Sequence, residues 1–243
     1  MSVAPTPLRS LQREHALLLL AQEEFTHLVE RGKLPLPARH LEHFSRVMRR
    51  HHTWRALAGN GMGTLAVCEV QKDTVVLTAE GIQEFPRTSP RVTLVQAWPK
   101  PKALSLILQK AAELGASELV LVTSDHAAHP AEKAERMEAI LENACMQAYN
   151  LYKPSVSLRA LADHANFLDT MAFFGDIQGS EKIRNLAMPA GQKVTFVNGP
   201  EGGFSTRETD WLRERATGVL LSENVLRSET AAIIALGHFC QSP

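Results

Sequence analysis

The sequence has no net charge, because 26 lysine and arginine residues balance 26 aspartate and glutamate residues. A neutral chain has no overall field that attracts nucleic acid, so any contact with RNA must come from a local basic patch. Cysteine is scarce, with only Cys68, Cys145 and Cys240. This odd, scattered set is typical of neither a disulfide framework nor a metal site. It predicts a cytoplasmic protein without a bound metal.

Long apolar runs and the common nucleotide-binding signatures are also missing. The longest apolar run near the start, residues 16–21, is too short to span a membrane, and no cleavage pattern of a leader peptide follows it. The sequence has no Gly-x-x-x-x-Gly-Lys-Ser/Thr, and no Gly-x-Gly-x-x-Gly leads from a strand into a helix. The near match at residues 59–63 precedes a strand and therefore predicts a hairpin turn. We expect neither a membrane segment nor one of these phosphate-binding loops.

The composition changes near residue 90. Six of the ten histidines lie before it, with short strand-like runs at residues 65–67 and 74–78, which together predict a small β-rich domain. Arg46, Arg49 and Arg50 form a basic cluster near the aromatic Trp54. Cations interleaved with an aromatic ring fit contact with RNA, although a solvated surface face would have the same composition.

Strands and helices alternate after residue 90. The apolar runs predict strands at residues 92–97, 118–123, 171–174, 193–197 and 219–222. The helical patterns cover residues 102–114, 131–148, 206–216 and 228–240. Ser205 and Glu208 predict a capping box, Gly218 a helix stop, and Ser228 a helix cap. This order predicts an α/β domain with a mainly parallel sheet, helices on both faces, and ligands at the carboxyl ends of its strands.

Two loops near the C-terminus are candidates for a binding site. Residues 199–203, Gly-Pro-Glu-Gly-Gly, directly follow a predicted strand, and their glycines would let the backbone approach a ligand closely. A plain strand-to-helix turn would explain this loop equally well. Arg227 directly precedes the last predicted helix, whose N-terminus disfavours a cation. Its position therefore predicts a carboxylate or phosphate partner.

Taken together, these segments resemble the bacterial small-subunit rRNA uracil-N3 methyltransferases of the SPOUT (α/β-knot) superfamily. The matching segments are Gln-Ala-Trp-Pro-Lys at 96–100, Ile-Leu-Gln-Lys-Ala-Ala-Glu-Leu-Gly at 107–115, Gly-Pro-Glu-Gly-Gly-Phe-Ser at 199–205 and Leu-Arg-Ser-Glu-Thr-Ala at 226–231. The resemblance implies a PUA-like β-barrel RNA-binding domain at residues 1–88, including an extension at 1–15. It also implies a trefoil-knotted methyltransferase domain at residues 89–243.

The resemblance further implies an enzyme that methylates N3 of a uridine in 16S rRNA with S-adenosyl-L-methionine as cofactor. Such an enzyme would be a homodimer that binds ribosomal RNA, or the small ribosomal subunit, at the subunit interface. We assign Arg227 to a phosphate or a uracil oxygen, and Glu201 to the role of base. We assign the cofactor to Asn198, Gly199, Pro200, Gly202, Gly203, Leu221, Ser222, Leu226 and Thr230. We assign RNA contacts to Arg46, Arg49, Arg50, Lys100 and Gln147.

Several residues depart from the family's pattern, among them Ser222, where the family has glycine, and three positions that lose a charge. Met146, Asn150 and Asn224 stand where the family usually has charged groups. This leaves open a non-catalytic relative that binds the cofactor or RNA, and a methyltransferase of the same fold that acts on another RNA, such as tRNA. A plain α/β module that binds a nucleotide is a further alternative, and it would be a monomer.

Overall fold

The computed structural model describes residues 8–12, 15–42, 53–128, 132–161, 171–186 and 192–241. The chain divides into two compact units, the first formed by Met1–Arg87 with Cys145–Tyr152 and the second by Thr88–Ala144 with Lys153–Pro243. No helix within the described ranges is both long enough and apolar enough to cross a bilayer. The histidine, cysteine, aspartate and glutamate residues of these ranges form no group that could hold a metal ion.

The first unit contains a five-stranded sheet. Its strands are β1 (Ala16–Leu19), β2 (Lys33–Pro35), β3 (Trp54–Gly59), β4 (Thr64–Gln71) and β5 (Thr74–Glu84), in the order β1-β3-β4-β5-β2. The strand β1 is parallel to β3, and the other neighbouring strands are antiparallel. The helices are α1 (Leu8–Gln12), α2 (Gln22–Arg31) and α3 (Ala38–Glu42). Residues 59–63 form the predicted turn, and the Asn60 N–H donates to the Thr64 carbonyl over 3.2 Å.

The second unit contains a seven-stranded parallel sheet. Its strands are β6 (Arg91–Ala97), β7 (Glu118–Thr123), β8 (Ser155–Ala160), β9 (Met171–Gly175), β10 (Glu181–Lys182), β11 (Lys193–Asn198) and β12 (Thr217–Leu220). Their order is β10-β12-β9-β11-β6-β7-β8, and every neighbouring pair is parallel. The remaining helices are α4 (Pro101–Leu114), α5 (Ala134–Ala148), α6 (Thr206–Arg213) and α7 (Ser228–Cys240). The mixed α/β class is therefore as predicted.

Helices cover both faces of the central strands. Successive side chains of a strand point to opposite faces, so Phe173 and Phe174 of β9 face different helices. The ring of Phe173 stacks on Phe239 of α7 at a centroid distance of 5.1 Å. Phe174 lies in a buried cluster that includes Val197 of β11 and Leu212 of α6. Burial on both faces explains why β6 and β11 carry apolar residues at consecutive positions, Leu94 with Val95 and Phe196 with Val197, all fully buried.

Several predicted boundaries differ from the structure. The helix predicted from residue 131 begins at Ala134, and the helix predicted over 206–216 ends at Arg213, although its capping box of Ser205 and Glu208 is present. Gly218 does not stop that helix but lies within β12, where a Cβ atom would come within 3.0 Å of Asp176 Oδ2. The patterns also missed five strands, β1, β2, β3, β8 and β10, of which β1, β2 and β10 have only two to four residues and are too brief to show a clear period.

Candidate functional site

A cavity of about 1260 Å³ lies at the carboxyl ends of β6, β9, β11 and β12, which are adjacent in the sheet. The loops after β9, β11 and β12 line it, together with the first turns of α4 and α7. Open parallel sheets bind their ligands at this edge, because the loops there project beyond the strands and can differ without disturbing the core. The cavity is therefore the candidate ligand site of the second unit.

The loop at residues 199–203 is held from two sides. The Gly203 N–H donates to the Pro200 carbonyl over 2.9 Å, which closes a tight turn. The turn places Gly203 at a φ of 71°, a value that favours glycine over residues with a Cβ atom. Glu201 Oε1 accepts a hydrogen bond from the backbone N–H of Lys100, which is the N-cap of α4, over 3.0 Å. The loop is thus anchored to the start of a helix that borders the same cavity.

Packing against His126 explains why position 202 carries no side chain. A Cβ atom at Gly202 would lie 3.1 Å from the Cβ of His126, which is tighter than an ordinary contact. The same His126 places Nδ1 3.2 Å from the Gly203 carbonyl. His126 therefore covers the back of the loop, and close approach of a ligand is not needed to explain Gly202.

The loop after β7 is joined to the start of α6. Asp125 Oδ2 accepts a hydrogen bond from the Ser205 hydroxyl over 2.6 Å, and Asp125 also pairs with Arg207 at 3.0 Å. The Ser205 hydroxyl, with a further contribution from the Arg207 guanidinium, lowers the pKa of the Asp125 carboxyl. The Asp125 N–H in turn donates to Glu208 Oε1 over 2.8 Å. These contacts fix the end of the 199–203 loop where it enters α6.

The loop between β12 and α7 forms the opposite wall of the cavity. The Asn224 N–H donates to Ser222 Oγ over 3.1 Å, which shapes the turn. Glu223 points to β10 and pairs with Lys182 Nζ at 2.6 Å, and this ammonium lowers the pKa of the Glu223 carboxyl. Val225 is 86% exposed and lines the cavity beside Leu226. The loop therefore offers an apolar surface to the cavity while its carboxylate is held outside.

Three buried polar side chains meet at the base of the cavity. The side-chain amide of Asn198 donates to Gln96 Oε1 over 2.7 Å and to the Ser228 carbonyl over 2.9 Å. The Ser228 hydroxyl donates to the Gly199 carbonyl over 2.6 Å. Ser228 therefore does not cap α7 as predicted: the N-cap is Arg227, which makes no capping bond with its side chain. Ser228 instead joins the start of α7 to the 199–203 loop.

Charged groups surround the cavity. Arg227 is 86% exposed, and its guanidinium lies 4.0 Å from Glu229, at the limit of an ion pair. Asp176 follows β9 and lines the cavity, with Oδ2 accepting from Arg213 Nη2 over 3.0 Å. Sequence reasoning missed Asp176. Gly218 is the residue of the sequence that relates to Asp176, because the absence of a side chain at position 218 leaves room for the Asp176 carboxylate.

The cavity brings together most of the residues assigned to the cofactor. Its lining includes Asn198, Gly199, Pro200, Gly202, Gly203, Leu221, Ser222 and Leu226, together with Lys100, Glu201 and Arg227. Thr230 is not part of the lining. It lies in the first turn of α7, and there its two neighbours, Glu229 and Ala231, face the cavity instead. Gln147 is exposed near the end of α5, in the segment that belongs to the first unit. Arg46, Arg49 and Arg50 lie outside the described residues.

Two of the departures from the family pattern have structural roles. Met146 is only 6% exposed, so it serves as a packing residue of α5. Asn150 Oδ1 accepts a hydrogen bond from the Tyr152 N–H over 2.9 Å, and the backbone N–H of Asn150 donates to the Cys145 carbonyl. Asn224, in contrast, is exposed and lines the cavity. Of the three, only Asn224 therefore alters the chemistry of the candidate site.

The second unit matches a known family. Residues 87–239 match the family model of the RNA methyltransferase domain. The ribosomal RNA small subunit methyltransferase E of Bacillus subtilis is 29% identical over 221 residues, which cover 81% of this chain and 85% of that protein. The protein of the same name from Rickettsia conorii is 23% identical over 223 residues, which cover 88% and 91%.

A solved structure shows the same fold. The ribosomal RNA small subunit methyltransferase E of Neisseria gonorrhoeae, in a crystal structure bound to S-adenosyl methionine, is 21% identical to this chain with a TM-score of 0.75. The match covers 91% of this chain and 95% of that one. Because the family model extends over well more than half of the sequence, this chain belongs to the RNA methyltransferase domain family.

Proposed function

We propose that this protein transfers the methyl group of S-adenosyl-L-methionine to N3 of a uridine in 16S rRNA. The observation that carries the proposal is the cavity at the carboxyl ends of four parallel strands, within a chain of the RNA methyltransferase family. The names of the relatives from Bacillus subtilis and Rickettsia conorii, which denote small-subunit rRNA methyltransferases, support this substrate. The uracil N3 position follows from the sequence resemblance.

The residues of the cavity fit S-adenosylmethionine. Its volume of about 1260 Å³ exceeds the ~300–1,000 Å³ that small-molecule sites commonly need, and leaves room for a target base. Leu221 and Leu226 offer apolar surface for a flat heterocycle. Asp176 and Glu229 lie along the wall beside Arg213 and Arg227, so the cavity offers groups of both signs for the positive amine and the negative carboxylate of the methionine part. We propose that the cofactor lies between the 199–203 loop and the loop before α7.

The chain's contribution to the reaction is positioning and charge. S-adenosylmethionine supplies an electrophilic methyl carbon on a positively charged sulfur. Uracil N3 carries a proton and becomes a good nucleophile only when that proton leaves. We propose that Arg227, exposed at the cavity, binds an RNA phosphate or stabilises the negative charge that develops on a uracil oxygen. We propose that Glu201 accepts the proton through the oxygen that does not hold the Lys100 N–H.

Further parts of the proposal concern architecture and partners. We propose that residues 1–88 form a PUA-like RNA-binding domain, that residues 89–243 form a trefoil-knotted methyltransferase domain, and that the protein is a homodimer. Lys100 at the cavity, Gln147, and the basic cluster of Arg46, Arg49 and Arg50 would contact RNA. Light scattering of the purified protein tests the dimer, since a monomer would favour the plain nucleotide-binding module instead.

The non-catalytic alternative is less well supported. Its motivation was the loss of charge at Met146, Asn150 and Asn224. The burial of Met146 and the hydrogen bond of Asn150 give both residues a role within the fold, so two of the three changes need no loss of activity. The matches to named methyltransferases over most of the chain also favour an active enzyme.

Transfer of a labelled methyl group tests the proposed function. Small ribosomal subunits from a strain that lacks this methylation, intact small subunits and bulk tRNA would each be incubated with protein and labelled S-adenosylmethionine. We expect label only in the unmethylated small-subunit RNA. Label in tRNA alone would move the substrate to another RNA, and cofactor binding without any transfer would support the non-catalytic relative.

A further inference from the structure

The cavity rests on three polar side chains buried where apolar ones would be expected. Gln96 is fully buried, and Asn198 and Ser228 are 3% and 6% exposed. The preceding residues of the same face of β6 and β11 are apolar, namely Leu94 and Phe196. Polar groups are costly to bury unless their hydrogen bonds are made, so their position at the cavity end of both strands calls for a specific reason.

The three side chains satisfy one another in a directed network. Asn198 Nδ2 has two hydrogens and donates them to Gln96 Oε1 and to the Ser228 carbonyl. Gln96 Nε2 donates to the Ala97 carbonyl over 2.8 Å and lies 3.1 Å from Ser228 Oγ and 3.3 Å from the Gly199 carbonyl. These partners fix the orientation of both amides, because a flipped amide would set oxygen against a carbonyl.

The network joins three segments that are distant in sequence. Gln96 of β6 lies opposite Asn198 of β11, and this is the last residue pair of the two strands. Ser228 is the first residue of α7, directly after Arg227. The Gly199 carbonyl, at the start of the 199–203 loop, receives the Ser228 hydroxyl at 2.6 Å and faces the Gln96 amide. One set of hydrogen bonds therefore fixes where both walls of the cavity begin.

We propose that Gln96, Asn198 and Ser228 are positioning residues for S-adenosylmethionine. Their hydrogen bonds hold the Gly199 carbonyl against Ser228 and Gln96, and they hold the first turn of α7 beside it. The 199–203 loop and the loop before α7 therefore present their backbone groups to the cofactor at a fixed separation. Preorganised groups bind more tightly because the ligand does not have to order them. This inference rests on the proposed function, and it changes the role of Asn198 from direct contact to positioning, since both of its amide hydrogens are used within the protein.

Ser228→Ala is the central test, because it removes one hydroxyl and retains a residue that favours a helix. Ser228→Thr keeps the hydroxyl and serves as the rescue. Ser105→Ala is the matched control: Ser105 Oγ donates to the Pro101 carbonyl within α4 over 3.1 Å, and Ser105 does not line the cavity. Asn198→Asp is a second variant of nearly the same shape, which replaces both donated hydrogens by an acceptor.

Two quantities are measured for each protein: the Kd for S-adenosylmethionine by calorimetry, and the Tm without cofactor by circular dichroism. We expect Ser228→Ala to weaken binding by about fivefold to tenfold, the effect of one lost buried hydrogen bond, and to lower the Tm by about 2–4 °C, because the Gly199 carbonyl loses its partner. Ser228→Thr should restore the Kd to within about twofold, and Ser105→Ala should leave it unchanged. Asn198→Asp should weaken binding more than Ser228→Ala.

The outcomes separate this inference from the proposed function. If the wild-type protein binds the cofactor but Ser228→Ala and Asn198→Asp bind it equally well, the inference is wrong and the proposed function stands. A lower Tm with an unchanged Kd likewise overturns it, because the network would then serve the fold alone. Wild-type protein that binds no S-adenosylmethionine overturns the proposed function and this inference with it.

Discussion

Gln96 and Asn198 face each other across the ends of two parallel strands, and the Asn198 amide donates to Gln96 Oε1 over 2.7 Å. This contact lies where the apolar interior of the sheet gives way to the cavity. In a low-dielectric interior a satisfied hydrogen bond is strong and an unsatisfied group is costly, so such a pair permits few alternative geometries. The pair therefore links the core of the sheet to the shape of the candidate site.

Replacing Arg227 by alanine should separate binding of the cofactor from methyl transfer. Because Arg227 is exposed and is proposed to contact RNA or uracil, we expect the Kd for S-adenosylmethionine to change by less than about twofold. Loss of a group that stabilises developing charge should lower the rate of transfer on the order of a hundredfold. Arg136→Ala is the control, since Arg136 of α5 is 65% exposed, pairs with Glu132 and does not line the cavity. Equal transfer rates for Arg227→Ala and the wild type would remove Arg227 from the mechanism.

Glu201 can be tested with two substitutions that differ in one property. Glu201→Gln retains an oxygen that can accept the Lys100 N–H, but it cannot take up a proton near neutral pH. Glu201→Ala loses both functions. If Glu201 is the base, both variants should lose about a hundredfold or more in transfer rate, while only Glu201→Ala weakens cofactor binding, by roughly fivefold. A fully active Glu201→Gln would show that Glu201 only anchors the loop.

Gly202 should be sensitive to substitution because of His126. A Cβ atom at Gly202 meets the Cβ of His126 at 3.1 Å, and overpacking of this kind costs about 1–3 kcal/mol. We expect Gly202→Ala to weaken binding of S-adenosylmethionine on the order of tenfold, as measured by calorimetry. Combining it with His126→Gly should return the affinity to that of His126→Gly alone. Persistent weak binding in the double variant would mean that the cofactor itself needs the space at Gly202.

The cysteines should be unreactive in the folded protein. All three are buried, and burial raises the pKa of the Cys68 thiol to about 12. The unfolded chain ionises this thiol at lower pH, so its contribution to stability is complete below about pH 9 and declines as the pH rises towards 12. A thiol-specific reagent at pH 8 should therefore label the native protein slowly and the urea-unfolded protein rapidly. Rapid labelling of the native protein would contradict the burial.

Sequence patterns predicted the larger elements of the second unit well. The strand at Glu118–Thr123 and the helix at Ser228–Cys240 have the predicted bounds, because a continuous apolar run defines the strand and repeated apolar residues define the helix. The patterns predicted less well where a residue serves a distant partner. Gly218 has the appearance of a helix stop and instead makes room for Asp176, a relation across the sheet that no local pattern contains.

The candidate site shows the same limit. The sequence did indicate that the 199–203 loop and the loop carrying Arg227 lie at the same edge of the sheet, because each follows a strand of one parallel sheet. The hydrogen bonds among Gln96, Asn198 and Ser228 could not be recognised from the sequence, since their partners are separated by 30 to 132 residues and only the folded sheet brings them together. Ser228 illustrates the point, because a serine at the start of a helix favours capping unless a tertiary acceptor such as the Gly199 carbonyl competes.

The most direct test of the central proposal is the identity of the methylated nucleoside. Small subunits that lack the modification would be incubated with S-adenosylmethionine and either the wild-type protein or Arg227→Ala, and the RNA would be digested and examined by mass spectrometry. We expect one 3-methyluridine per 16S rRNA with the wild-type protein and far less with the variant at equal time. A methyl group on another base or on a ribose, or no methylated nucleoside from a protein that binds the cofactor, would contradict the proposal.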